Sequence, residues 1–99
     1  GNNPGAAADN LESEALYEKR ARYLLEQKRW EDALHFAGQT GQGVSVCKAL
    51  IGLKRYAQAA DHAIAHVTTS GTLLTICKDL QEAGEDNEAL RVGERGLNL

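Results

Sequence analysis

Three stretches of this chain repeat one pattern, and that repetition leaves few folds open. Leu24-Leu25-Glu26-Gln27-Lys28-Arg29-Trp30-Glu31-Asp32-Ala33-Leu34 is the first. Leu50-Ile51-Gly52-Leu53-Lys54-Arg55-Tyr56-Ala57-Gln58-Ala59-Ala60 echoes it 26 residues later. Leu80-Gln81-Glu82-Ala83-Gly84-Glu85-Asp86-Asn87-Glu88-Ala89-Leu90 echoes it again after a further 30. A second match runs beside the first: Val46-Cys47-Lys48-Ala49-Leu50 against Ile76-Cys77-Lys78-Asp79-Leu80, with Arg20-Ala21-Arg22-Tyr23-Leu24 at the same register. Small residues therefore recur before each turn (Ala21, Cys47, Cys77) and after it (Ala33, Ala59, Ala89). Repeats of this length are single supersecondary units that bury their apolar faces by stacking on one another.

The spacing of apolar residues around each turn is helical. Tyr56, Ala59, Ala60, Ala63, Ile64 and Val67 follow the i, i+3, i+4, i+7 pattern, as do Trp30, Ala33, Leu34 and Ala37. Leu73, Ile76, Cys77 and Leu80 make one face before the third turn, and Tyr17, Ala21, Leu24 and Leu25 make one before the first. Val46 and Leu53 widen the stripe of Val44, Cys47, Leu50 and Ile51, which suits a helix packed on two sides in the middle of a stack. Thr68-Thr69-Ser70-Gly71 offers N-cap hydroxyls, Gly84 suits a helix C′ position, and Asp86 suits the next N-cap. Six helices are expected near 12–28, 30–38, 43–54, 56–68, 71–83 and 86–97. They form units of about 11–41, 42–69 and 70–99. Residues 1–10, with Gly, Asn, Pro and only alanines as apolar residues, read as a flexible tail.

Composition narrows the function classes. At 42% hydrophobic and 25% charged, 99 residues make one ordinary folded domain. Two cysteines are too few for a disulfide framework and point to a cytoplasmic compartment. A formal charge of −3 argues against nucleic acid as a partner of this domain alone, and no uncharged stretch reads as a bilayer span. No signal-peptide pattern opens the chain. It begins at Gly1 and ends at Leu99 just after an amphipathic segment, so a piece of a longer protein is expected.

The segment Lys28-Arg29-Trp30-Glu31-Asp32-Ala33-Leu34 and its echoes resemble the turn of the tetratricopeptide superfamily. There a Gly-x-aromatic-x-x-Ala-Leu pattern opens the second helix of each repeat. The resemblance covers Leu11 to Leu97; the periods here are shorter than that family's 34, and its repeat-final proline is absent. The ending Asn87-Glu88-Ala89-Leu90-Arg91-Val92-Gly93-Glu94-Arg95-Gly96-Leu97 is similar to the helical repeats that accompany SWIM-type zinc-finger proteins in bacteria. The zinc-finger cysteines and histidine have no counterpart here, so zinc is not carried over. The resemblance implies an all-α, right-handed solenoid of three stacked helix-turn-helix hairpins whose groove binds peptides or proteins.

Isolated chemical motifs are weak. Cys47 and Cys77 lack the close partner of a Cys-x-x-Cys motif and read as small core residues. His62 and His66 share a helix face, but Ala63 stands where a zinc protease needs Glu, and no third ligand is apparent. Gly38-Gln39-Thr40-Gly41-Gln42-Gly43 lacks the Lys and the preceding strand of a phosphate-binding loop and reads as a turn between units. No nucleophile–base pair is visible, so an enzyme is not expected, and no cofactor is expected either.

Charge is distributed unevenly. Residues 33–60 hold Lys48, Lys54 and Arg55 without an acid, whereas residues 61–99 hold seven acids and three bases. In the implied solenoid the first helix of each pair lines the groove, which makes Lys19, Arg22, Lys48, Lys78 and Asp79 the candidate peptide-binding residues. Arg22, Lys48 and Lys78 share one repeat register, a basic ladder suited to an acidic peptide or a C-terminal carboxylate. The alternative is a structural spacer within a longer solenoid, positioning a neighbouring domain such as a nucleic-acid-associated one. Such a piece would self-associate through its Glu88–Leu99 edge.

Overall fold

The computed structural model describes the backbone of residues 4–40 and 43–99 and the side chains of residues 15–40 and 43–99. Among the described residues there are six helices: α1 (Pro4–Glu26), α2 (Trp30–Ala37), α3 (Gly43–Gly52), α4 (Tyr56–His66), α5 (Ser70–Glu82) and α6 (Asp86–Leu97). No strand occurs among the described residues. Helices α2 to α6 match the expected spans to within two residues at either end. Helix α1 differs: it begins at Pro4, so residues 4–10, expected as tail, are helical. Pro at the first helical position is preorganised for a helix, and Ala6, Ala7 and Ala8 have the highest helix propensity. Of the glycine-rich turn, Gly41 and Gln42 lie outside the described residues, as do Gly1 to Asn3.

The three turns within the pairs share one backbone geometry. Lys28, Lys54 and Gly84 all adopt positive φ, at 59°, 62° and 81°. The N–H of each bonds back three residues, to Leu25, Ile51 and Gln81. The next N–H bonds back five, from Arg29 to Leu24, Arg55 to Leu50 and Glu85 to Leu80, all at 2.9 Å. These two bonds make the Schellman motif, which satisfies the last carbonyls of the first helix. The second helix then starts from the same residue in every case, with φ,ψ near −95°, 70° at Arg29, Arg55 and Glu85. Asp86 is therefore the first residue of α6 and not its N-cap, which is Glu85 without a side-chain cap bond. The hydroxyls before α5 are unused as well: Thr69 occupies the N-cap without a side-chain bond.

Side-chain size explains how the pairs assemble. Ala21, Ala33, Ala37, Ala49, Ala59, Ala60 and Ala63 are completely buried, and Ala89 nearly so. A methyl group at each of these points lets two helix backbones approach closely. Helices α1, α3 and α5 pack in series, and α4 packs on α6. Helix α3 meets α1, α2, α4 and α5, the two-sided packing its wide apolar stripe predicts. The Cα envelope is 50 × 31 × 17 Å, and its shortest dimension is about that of two helix layers.

The core is larger at the C-terminal side. Leu73, Ile76, Leu80 and Val92 are fully buried and cluster with Cys47, Ala60, Ala63 and Val67. Each such aliphatic side chain contributes about 1.5–3 kcal/mol on burial. The clusters joining α1 and α2 to α3 are built mainly on alanines, with Leu24, Val46 and Leu50. Cys77 departs from the expectation of a core residue. It is half-buried at the margin of the core cluster, against Gly93 of α6, whereas its counterpart Cys47 is fully covered by residues of α4, α5 and α6.

Candidate functional site

A groove of about 660 Å³ crosses one helix from each pair. Helix α1 supplies Arg22, Leu25 and Glu26, α3 supplies Val44, Ser45, Lys48, Ile51 and Gly52, and α5 supplies Asp79 and Glu82. Trp30, the single tryptophan, enters from the start of α2. Repeat register builds the α1 and α3 walls: Arg22, Leu25 and Glu26 stand 26 residues before Lys48, Ile51 and Gly52. Half-buried Leu25, Trp30, Val44 and Ile51 make an apolar floor, with charged residues around it. The volume lies in the range of small-molecule and peptide-anchor pockets.

Gly52 shapes that floor. A Cβ at this position would fall 2.2 Å from Cδ2 of Trp30, so the indole rests directly on the α3 backbone. The equivalent residues of the flanking pairs, Glu26 and Glu82, carry full side chains and form the rim instead.

Three of the five candidate residues line the groove. Arg22 is exposed, lines the α1 side and is ion-paired with Glu18 one turn earlier. Lys48 is exposed on α3. Asp79 is half-buried on α5; burial raises its pKa above the usual carboxylate value, the positive charges of Lys48 and Lys78 pull it down, and Glu82 pushes it up. Lys19 and Lys78 are exposed but do not line the groove. Of the three residues sharing that register, Arg22 and Lys48 line the groove and Lys78 does not. Lys48 stands where α3 meets the next first helix of a pair, α5, whereas among the described residues no further first helix packs on α5 beside Lys78. In its place α5 presents Asp79 and Glu82, so both cations of the groove, Arg22 and Lys48, lie on the α1–α3 side beside Glu26, and the α5 side carries acids alone.

Reasoning from the repeat missed Leu25, Ile51, Glu26 and Glu82 because it looked for exposed polar residues alone. The register that carries Arg22 to Lys48 also carries Leu25 to Ile51, and that signal was present. Trp30, an apolar position in the helical pattern of the sequence, packs on Gly52 and also lines the groove.

The remaining candidates are separate. The rings of His62 and His66 lie 4.5 Å apart on α4, away from the groove. Burial, then the charge of His66, lowers the pKa of His62. Among the described residues no three His, Cys, Asp or Glu side chains are grouped to hold a metal ion. Cys47 donates its S–H to the carbonyl of Ala59 at 3.4 Å, and burial pushes its pKa up to about 12. Among the described residues no helix is long and apolar enough to cross a membrane. Comparison with protein-family models, with curated proteins and with solved structures finds no match.

Proposed function

We propose that this chain is a non-catalytic, tetratricopeptide-like scaffold that binds a peptide segment of a partner protein across α1, α3 and α5. The observation that carries this reading is the groove itself: an apolar floor at Trp30, Leu25 and Ile51 beside the paired cations Arg22 and Lys48. An apolar anchor desolvates the floor, and an acidic side chain or a terminal carboxylate meets the two cations. Because the α5 side carries Asp79 and Glu82, the favoured peptide has its negative charge at the α1–α3 end only.

Panning the folded 99-residue chain against a random peptide display library tests this. Enriched peptides should pair an apolar residue with an acidic one, and they should change the emission of Trp30 on titration. Lys48→Ala should weaken them about tenfold, as losing one charge-assisted contact does, whereas Lys78→Ala should leave them unchanged. Equal loss in both variants would show that long-range charge, and not the groove, captures the peptide. No enrichment on well-folded protein would remove this reading and leave the spacer role.

A further inference from the structure

We infer that the outer face of α5 and α6 is a docking surface for the α1–α2 end of a second copy of this chain, giving head-to-tail assembly. This surface is separate from the groove and does not depend on what the groove binds.

The argument begins with how the second helix pair holds the third. Cys47, Ala60, Ala63 and Val67 share one apolar cluster with the buried residues of α5 and α6, with Ile51 and Tyr56 packed against it. Thirty residues on stand Cys77, Leu90, Gly93, Leu97, Gln81 and Asp86. All six line a single cavity of about 460 Å³ on the α5–α6 face. The surface that seats one helix pair is thus repeated, position for position, where no described element covers it. Its large apolar side chains are open to solvent: Leu74 is 53% exposed, Leu90 61% and Leu97 83%. The cavity is also walled by Asp86 and Glu94, and no basic side chain lines it.

The occupant follows from the same register read backward. On the third pair, Leu73, Ile76 and Val92 belong to that cluster. Their counterparts on the first pair, 56 residues earlier, are Tyr17, Arg20 and Phe36. These three form a compact group: the Tyr17 and Phe36 rings are 5.9 Å apart, and the Arg20 guanidinium lies 5.7 Å from the Phe36 ring centre. Arg20 is exposed, and the two rings are half-buried. One end of the chain therefore offers aromatic rings and a cation, and the other offers an aliphatic hollow walled by carboxylates. A contact of this kind is heterologous, so it extends with concentration and does not close as an isologous dimer.

Sedimentation of the full chain across a concentration series, up to about 1 mM, tests the inference. The mean mass should rise continuously past the dimer. Leu90→Glu should weaken association at least about tenfold, as should Arg20→Glu. Both positions are exposed in the single chain, so each variant should keep the helical circular-dichroism spectrum of the parent. Mixing the two variants should restore assembly, but only to a one-to-one dimer, since each supplies the intact end the other lacks. A monomer at every concentration would overturn the proposal. So would loss in Leu90→Glu alone with no rescue on mixing, which marks an isologous contact.

Discussion

The indole of Trp30 lies on the backbone of Gly52, closely enough that no side chain fits between them. The contact joins the start of α2 to the end of α3, and so fixes the first helix pair against the second at the groove. Two residues that look unrelated in the chain, a turn aromatic and a helical glycine, make one structural unit.

Gly52→Ala should therefore destabilise the protein, although alanine is the better helix residue. The helix gain is about 1 kcal/mol, while forced overpacking costs about 1–3 kcal/mol. A net loss of up to about 2 kcal/mol is expected in urea melts. In the Trp30→Leu background the same substitution should be neutral or stabilising. Equal costs in the two backgrounds would show that the indole is not what excludes a Cβ.

The three turns make opposite predictions at equivalent positions. Lys28 and Lys54 hold a left-handed conformation that costs a non-glycine residue about 1–2 kcal/mol. Lys28→Gly and Lys54→Gly should each stabilise the chain by about 0.5–1 kcal/mol after the entropy of glycine is counted. Gly84→Ala should lose about 1 kcal/mol through backbone conformation alone, since a Cβ there meets nothing within 4 Å. Thermal melts of the three variants, read together, check the common geometry.

The cysteines should separate under a thiol reagent. Cys47 is fully buried with its pKa pushed up to about 12, so at about pH 8 only about one part in ten thousand is thiolate. Cys77 is half-buried at the edge of the α5–α6 hollow. One thiol should react in the native protein, and Cys77→Ser should remove that reaction. The second should appear only on unfolding. Two native thiols of similar rate would contradict the buried placement of Cys47.

Stability should also fall on mild acidification through His62. Its folded pKa lies below the ordinary value of about 6.5, because burial and the charge of His66 disfavour the protonated ring. Below that pH the unfolded chain takes up the proton first, so stability is complete above about pH 6.5 and declines beneath it. Asp61, Arg55 and His66 share the same surface hollow and are unchanged in a His62→Gln variant. The fall in melting temperature between about pH 7.5 and pH 5.5 should be smaller in that variant than in the parent. Parallel falls would assign the effect to another group.

Most of the helical layout is readable from the chain, because it rests on local physics. Apolar spacing of 3.6 residues, small residues at fixed register and three related turn segments act within a few residues of one another. The start of α1 escaped because Gly, Asn and Pro suggest a tail, while Pro4 and three alanines are equally compatible with a helix. The shared Schellman geometry was visible only at Gly84, since nothing marks Lys28 or Lys54 as left-handed except their alignment with it.

The sequence by itself determined the six helices found among the described residues and the segments that turn the chain back. Tertiary structure decided which candidate charges share a surface. It put Arg22, Lys48 and Asp79 on one groove and left Lys78 outside it, set Trp30 on Gly52, and buried Cys47 while leaving Cys77 half open. The reason is physical: a helix presents every face along its length, and only its neighbours determine which face is covered, which is shared and which is left to meet a partner.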